Sequence, residues 1–379
     1  MYRWPTPSTL AVAVAASLAM ALLSPVTASA KPGCRPLDAA TTAAVDAVVD
    51  ASVGPGASPG MSISVSTPKG CYSHSYGVRD LRTNAPLRPS DHVRIASITK
   101  TFTATVILQM VDRRMLRLDD KLSRYVAGVP NGDRITLRQV LAMNAGIYDY
   151  TSDATFTADL AANPLLRFSE ADFFAILHRH PPAYEPGQKT IYSDSNYYLL
   201  TLVAEKVGKR PLGDIVQRWI LDPLKMRDTS YPTGPDMPRP FARGYLPGTP
   251  AVEVSRVRPE ISRGAGAMIS TVGDMAIWAR ALTKGSLLSP RTQAERLEVA
   301  PLTGVTSPLT IGYGLGIFEI QGYIGHNGAI IGYSSATFYR PDIDTTITVV
   351  GNQADNFSTA TTTVFVGVAR QLNPDLFPT

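Results

Sequence analysis

The stretch Arg94-Ile95-Ala96-Ser97-Ile98-Thr99-Lys100 decides how this chain is read. It heads an apolar-patterned segment that runs to about Met115, in which Ile98, Phe102, Val106 and Met110 recur every four residues, with Ile107 and Val111 beside them. That period is helical, and apolar residues on more than one side predict a helix buried centrally rather than one coating a surface. In a helix of about 3.6 residues per turn, Ser97 and Lys100 share a face one turn apart. A serine hydroxyl is a poor nucleophile at neutral pH and needs a base within hydrogen-bond reach. A lysine at this spacing supplies one, and a helix N-terminus adds amide donors and a positive dipole end. An ordinary surface helix can also carry S-x-x-K, so the meaning of the motif depends on partners elsewhere.

Outward from this segment the chain alternates in character. Residues 37–53 are Ala- and Val-rich with helical periodicity, stopped by Gly54-Pro55-Gly56. Residues 61–67 alternate apolar and polar, Pro68-Lys69-Gly70 turns, and residues 71–78 pair back as a hairpin. Residues 135–143 read as a helix, followed by a loop containing Tyr148-Asp149-Tyr150. The middle of the chain is mostly helical, clearest over residues 199–207 and 212–220, and Ser270-Thr271 before Asp274 marks a helix start. Beyond Pro308, residues 312–320, 322–326, 334–339 and 346–350 alternate like antiparallel strands, and residues 361–372 close the chain as a helix.

Strand-rich ends therefore flank a helix-rich middle. The predicted fold is α+β: the N-terminal hairpin and the C-terminal strands share one antiparallel sheet, covered by the first and last helices. That lobe takes in residues 35–93 and 285–379; residues 94–284 form a helical lobe, with the site in the cleft between them. Gly56-Ala57-Ser58-Pro59-Gly60 matches a nucleophile-elbow pattern but is read as a loop. The elbow needs a strand before it and a helix after, and Pro59 has no N–H to serve as an oxyanion donor.

With 379 residues and a formal net charge of +5, the chain can bury a sizeable core. Its basic residues are scattered, which argues against a nucleic-acid partner. The first thirty residues read as a secretory signal: Arg3, an apolar run over residues 10–23, then Ala28-Ser29-Ala30 at a cleavage site. This predicts a mature domain over residues 31–379, exported to the periplasm, cell envelope or exterior, with no stable membrane span after cleavage; an uncleaved anchor is the alternative. In such a protein the two cysteines, Cys34 and Cys71, read either as a disulfide or as two thiols that never meet. No C-x-x-C or H-E-x-x-H pattern points to a metal, and no cofactor is expected. His178 and His180, beside Pro181-Pro182, read as an exposed helix end.

Two further motifs give S-x-x-K its context: Tyr192-Ser193-Asp194, and His326-Asn327-Gly328 on or beside a predicted strand. In this order and spacing, the three resemble the serine β-lactamase and penicillin-binding-protein family, in its class C and D-alanyl-D-alanine carboxypeptidase branch. There the second motif is Y-x-N and the third K-T-G or H-x-G. The resemblance implies that Ser97 is acylated and that Lys100 and Tyr192 together accept and return the proton. It also implies an oxyanion hole from the backbone N–H groups of Ser97 and Ala329. Gly328 lets the strand edge approach substrate, and His326 donates to Tyr192 or to substrate. Ser193 and Asn196 are left as structural.

The chain departs from that pattern at Asp194, which stands where the family has Asn. A carboxylate near Lys100 favours the ammonium form and pushes the base role toward Tyr192. Ala329 replaces a hydroxyl residue, and Phe318-Glu319-Ile320 lacks an arginine, so the usual grip on a terminal carboxylate is missing. The expectation is a serine hydrolase of the D-alanyl-D-alanine carboxypeptidase type acting on a small or peptide substrate of the cell wall. An esterase or β-lactamase on the same scaffold is the alternative, and a catalytically silent binding protein is the alternative of another class. Oligomeric state stays open.

Overall fold

The computed structural model describes residues 34–54, 56–354 and 360–378. The leader read over residues 1–30 lies outside them. Five strands carry the sheet: β1 (Gly60–Thr67), β2 (Gly70–Asp80), β3 (Tyr323–Ile330), β4 (Tyr333–Arg340) and β5 (Thr345–Gly351). Five helices frame it: α1 (Ala39–Asp50), α2 (Thr99–Asp112), α3 (Asp194–Gly208), α4 (Val272–Lys284) and α5 (Ala360–Leu372). The sheet is antiparallel in the order β2-β1-β5-β4-β3. Ala85–Pro86 extends it beyond β2, and Phe318–Ile320, Ile311–Tyr313 and Ala300–Pro301 extend it beyond β3. Hairpin and C-terminal strands thus share one sheet, and the fold is the α+β architecture that the strand-helix-strand pattern implies.

The strand alternation sends two kinds of side chain to the two faces. Ile63, Val65, Ala336, Phe338, Ile347 and Val349 pack against Val45 and Val49 of α1 and Val364, Phe365 and Val368 of α5. Phe338 stacks on Phe365 with ring centroids 4.3 Å apart. The opposite face is rich in hydroxyls, which pair among themselves or reach α4: Thr337 Oγ1 donates to the Met275 carbonyl at 3.1 Å. Helix α2 runs through the second core. Its residues Thr99 to Met110 are all buried, as periodicity on more than one side predicts. Helix α4 joins the two cores, lying on the sheet while Trp278 stacks on Phe102 of α2 at 4.0 Å.

Several boundaries differ from the sequence reading, each for a local reason. Helix α1 begins at Ala39 because Asp38 caps it, its side chain accepting from the Thr41 N–H. Helix α2 stops at Asp112, just before Arg114 at φ +58°. The helix expected over residues 135–143 shrinks to Leu137–Leu141, opened by a Thr136–Gln139 capping box. The segment 312–320, read as one strand, is two: Ile311–Tyr313 and Phe318–Ile320 pair back on each other. Gly316 turns between them at φ +80°, and a Cβ there would stand 2.2 Å from the Ala104 side chain of α2. The strand breaks because α2 fills the space into which it would continue.

Cys34 and Cys71 form a disulfide with Cα atoms 6.0 Å apart and 37 residues of separation. It pins the segment before α1 to β2, where the Cys71 N–H also donates to the Arg35 carbonyl at 2.8 Å. By the chain-entropy model, closing a loop of this length restricts the unfolded chain by about 3–4 kcal/mol. Reduction is therefore expected to lower the unfolding free energy by about that 3–4 kcal/mol, seen as a lower urea midpoint when the chain is unfolded with and without a thiol reductant.

Candidate active site

The sheet positions the nucleophile through its last long strand. Ser97 lies in a single 3-10 turn, Ala96–Ile98, that feeds directly into α2. Ala96 has φ +49°, a left-handed conformation that costs a residue with a Cβ about 1–2 kcal/mol. Neighbouring bonds hold the turn in place: the Ile95 N–H donates to the Met268 carbonyl at 3.0 Å, and Ser335 Oγ of β4 donates to the Ile95 carbonyl at 2.8 Å. Gly328 of β3 packs onto the same turn. A Cβ at Gly328 would meet the Ile95 carbonyl at 2.6 Å and the Ser97 nitrogen at 2.8 Å. The close approach expected of this glycine is thus made first to the nucleophile's own backbone, before any substrate. Gly328→Ala must push that turn away from β3. A loss of about 100-fold in kcat is expected from the displaced Ser97 amide, with about 1–3 kcal/mol of stability lost to overpacking, read by steady-state kinetics and thermal melting.

Lys100 is fully buried, and its Nζ has three oxygen partners. These are Ser97 Oγ at 2.9 Å, Asp194 Oδ1 at 2.5 Å and the Ala265 carbonyl at 2.7 Å. As an ammonium it donates to all three. As a neutral amine it donates to Asp194 and Ala265 and accepts the Ser97 proton on its lone pair. Burial lowers its pKa below the ordinary lysine value, while the carboxylates of Asp194 and Asp149 pull the other way. Tyr192 lies with its ring centre 4.9 Å from Nζ, stacked on Phe318 and edge-on to Tyr313. Burial and the Asp194 charge hold its phenol well above the ordinary value, so it keeps its proton; the Ser97 hydroxyl acts in the opposite sense as a hydrogen-bonding neighbour. The carboxylate at position 194 was expected to push the base role toward Tyr192. Burial works against both charged forms, and it leaves the lysine, not the tyrosine, nearer the neutral base.

His326 is brought close but not into bonding contact with Tyr192. Its ring is fully buried, 6.0 Å from the Tyr192 ring, with Nε2 3.4 Å from the Tyr313 hydroxyl and Nδ1 2.5 Å from the Asn327 carbonyl. Burial and the nearby Lys100 lower its pKa to about 3, so it is neutral at physiological pH. The expected donation from His326 to Tyr192 is not made, because the Tyr313 and Phe318 rings pack around the imidazole. His178 and His180 depart in part from an exposed helix end: His180 is half-buried, 2.8 Å from Asp153 and stacked on Tyr148 at 3.9 Å.

Ser97, Tyr192, Asp194 and Ala329 line one cavity of about 300 Å³. Beyond Gly325 the strand Phe318–Ile320 no longer pairs with β3, so the edge of β3 near Ala329 is open toward this space. Phe156, Leu160, Ile261 and Ile330 form an apolar wall. The charged residues of the lining are Asp149 and Asp194, both acidic. A larger groove of about 510 Å³ lies between α4 and the Ser64–Ser66 face of β1, but among the described residues no serine hydroxyl of its lining is hydrogen-bonded to a lysine.

Three contributors were not singled out from the sequence: Asp149, Ser262 and the Ala265 carbonyl. From the sequence, the Tyr148-Asp149-Tyr150 loop and residues 264–274 belong to the family resemblance without a role for Asp149 or Ser262, and a carbonyl oxygen has no signature in the sequence. The structure fixes Asp149 through Ser195 of α3, whose Oγ donates to the Tyr148 carbonyl at 2.7 Å and accepts from the Tyr150 N–H at 2.9 Å. Among the described residues no group of three or more His, Cys, Asp or Glu could hold a metal ion. No helix among them is long and apolar enough to cross a membrane.

A serine and a buried lysine one turn apart, under the open edge of an antiparallel sheet and beside a tyrosine, define the serine β-lactamase and penicillin-binding class. The Beta-lactamase family model matches residues 45–369, and the chain belongs to that family. A D-stereospecific amidohydrolase from Streptomyces sp. is 30% identical, with a TM-score of 0.76 over 85% of this chain and 97% of that one. A D-amino acid amidase from Ochrobactrum anthropi SV3 shares the fold at 22% identity, TM-score 0.77, over 88% and 98% of the two chains. Among curated relatives, penicillin-binding protein 4* of Bacillus subtilis is 23% identical over 75% of this chain and 66% of its own length. Protein flp of Staphylococcus aureus is 28% identical over 76% and 58%. The chain thus spans about two thirds or less of the length of these curated relatives.

Proposed function

We propose that this protein is a serine amidohydrolase that cleaves amides of D-amino acids, or peptides beginning with one, through an acyl-serine intermediate. The observation that carries the chemistry is Lys100 Nζ, buried and 2.9 Å from Ser97 Oγ. Ser97 attacks the amide carbonyl and its proton passes to Lys100. The backbone N–H groups of Ser97 and Ala329 hold the oxyanion. Tyr192, protonated throughout, relays the proton to the departing nitrogen. Water then attacks the ester, and Ser97 recovers its proton from the same pair.

The lining supports an amidase over a D-alanyl-D-alanine carboxypeptidase. A carboxypeptidase must hold a terminal carboxylate, and the charged groups of this cavity are acidic. The likeness to the Streptomyces amidohydrolase supports the same choice and the D configuration. The leader read from the sequence, together with the disulfide, supports an exported protein.

The test is product release from D-phenylalanine amide, L-phenylalanine amide and a peptide ending in D-Ala-D-Ala, with intact mass after benzylpenicillin in parallel. Ammonia from the D-amide alone is the expected result. Cleavage of the D-Ala-D-Ala peptide with a lasting penicillin adduct on Ser97 overturns it in favour of the carboxypeptidase; consumption of the drug without an adduct overturns it in favour of a β-lactamase.

A further inference from the structure

We infer that Thr103 of α2 and Thr201 of α3 are positioning residues for the reaction: they clamp residues 264–268 so that the Ala265 carbonyl aims the Lys100 lone pair at Ser97. The inference rests on the reading of Lys100 as the base for Ser97 and names what orients it. Both threonines are buried. Thr103 Oγ1 donates to the Gly264 carbonyl at 2.8 Å. Thr201 Oγ1 accepts from the Gly264 N–H at 3.0 Å and donates to the Tyr197 carbonyl at 2.9 Å. The two hydroxyls thus grip one residue from both sides, and no side chain fits between them. A Cβ at Gly264 would stand 2.4 Å from Thr201 Oγ1 and 2.6 Å from Thr103 Oγ1. A threonine in a helix interior can bond the carbonyl four residues back. Here that contact, to the Thr99 carbonyl, is the longer one at 3.4 Å, and the hydroxyl reaches across to Gly264 instead. Thr99 closes the far end of the segment, its Oγ1 accepting from the Met268 N–H at 3.1 Å.

The clamped segment bonds to both halves of the nucleophile–base pair. Its Met268 carbonyl accepts from the Ile95 N–H in the turn that carries Ser97, and its Ala265 carbonyl accepts from Lys100 Nζ at 2.7 Å. A neutral amine has two hydrogens and one lone pair. Asp194 and the Ala265 carbonyl take the two hydrogens. The lone pair is left facing Ser97 Oγ, 2.9 Å away, where it receives the hydroxyl proton. Without the carbonyl the amine is free to turn about its Cε–Nζ bond and present a hydrogen to Ser97 in place of the lone pair. The carbonyl also binds the ammonium more strongly than the amine, since a charged donor makes the stronger bond. The cavity lining includes Ala265 and Gly266 but neither threonine nor Gly264, so the clamp acts on the base and not on substrate.

The experiment follows kcat and kcat/KM against pH for an activated ester, which reports acylation of Ser97 whether or not amides are cleaved. Thr103→Val removes the hydroxyl and keeps the branched shape; Thr103→Ser keeps the hydroxyl. In Thr103→Val the plateau is expected to fall about 10-fold through kcat, with KM unchanged. The rising limb is expected to move to lower pH by about half a unit, because the ammonium loses more than the amine when its acceptor shifts. The other charged and titratable groups that face Lys100 stay in place in every variant: Asp194, Asp149, Tyr192, Tyr197 and His326. Thr103→Ser is expected to keep the wild-type profile. Thr201→Val, which releases Gly264 from the other side, is expected to shift the limb in the same direction, and it decides alone if Thr103→Val does not fold. A limb that stays at the wild-type pH, even with a lower melting temperature, overturns the inference and assigns the threonines a structural role. A shift shared by Thr103→Ser overturns it as well. Wild-type protein that turns over no ester removes the acyl-serine reading, and the inference with it.

Discussion

Ser97→Ala is expected to abolish turnover of every ester and amide, a loss of about 10⁴-fold or more. The side chain lost is the atom that becomes covalently bound, so no residual route through the acyl-enzyme exists. Positioning by the cavity alone could still support slow direct attack by water, which sets the floor of the measurement. The fold should not change, because Ser97 lies in a turn held by bonds to its neighbours: Ile95 N–H to Met268, Ser335 to the Ile95 carbonyl, and the Gly328 contact. Kinetics with an activated ester, paired with a thermal melt, check both halves. A rate unchanged by the substitution would remove the acyl-serine mechanism altogether and restore the silent binding protein as the reading of the cavity.

Lys100→Met is expected to cost about 10³-fold in acylation, within the usual contribution of a positioned general base. Methionine roughly fills the stem of the lysine and removes the nitrogen that faces Ser97 Oγ. It leaves Asp194 without its 2.5 Å partner, but that carboxylate stands at the first residue of α3, where the helix dipole favours negative charge, and its side chain is 23% exposed toward the cavity. The penalty therefore falls on rate more than on folding. The pH profile separates this role from a structural one. Burial lowers the pKa of Lys100, so the neutral amine gains population as pH rises through a value below that of ordinary lysine. In the wild type kcat/KM rises with pH across that window, and in Lys100→Met the rise is expected to vanish. A rise that persisted in the variant would assign the titration to another group, with Asp149 the first to examine.

Much of this architecture is legible in residue order because it rests on short-range physics. The spacing of Ser97 and Lys100 follows from helical pitch, and burial of α2 on all sides follows from Ile98, Phe102, Val106 and Met110 with their neighbours. The sheet follows from alternation in β1, β4 and β5, whose odd and even residues partition between an apolar face and a hydroxyl face. Asp194, Ala329 and the missing arginine are visible as departures from a family pattern, and they already raise doubt about a carboxylate-terminated substrate. Where α1 and α2 stop, and where the segment 312–320 breaks, depends on caps and on contact with other elements, which periodicity does not encode.

The sequence alone determined the family, the strand-helix-strand order, and the identity of the serine, lysine and tyrosine at the centre, because each is written in local spacing or motif. Only the tertiary structure decided how those groups are tuned. The left-handed Ala96 turn exists because β3, β4 and the segment around Met268 grip it from three sides. The proton-accepting tendency of Lys100 is set by burial opposed by two carboxylates from separate segments, 149 and 194. The placement of Asp149 depends on Ser195, 46 residues away in sequence, bonding to its neighbours on either side. Electrostatic tuning of this kind depends on distance and desolvation in three dimensions, and neither has a one-dimensional signature.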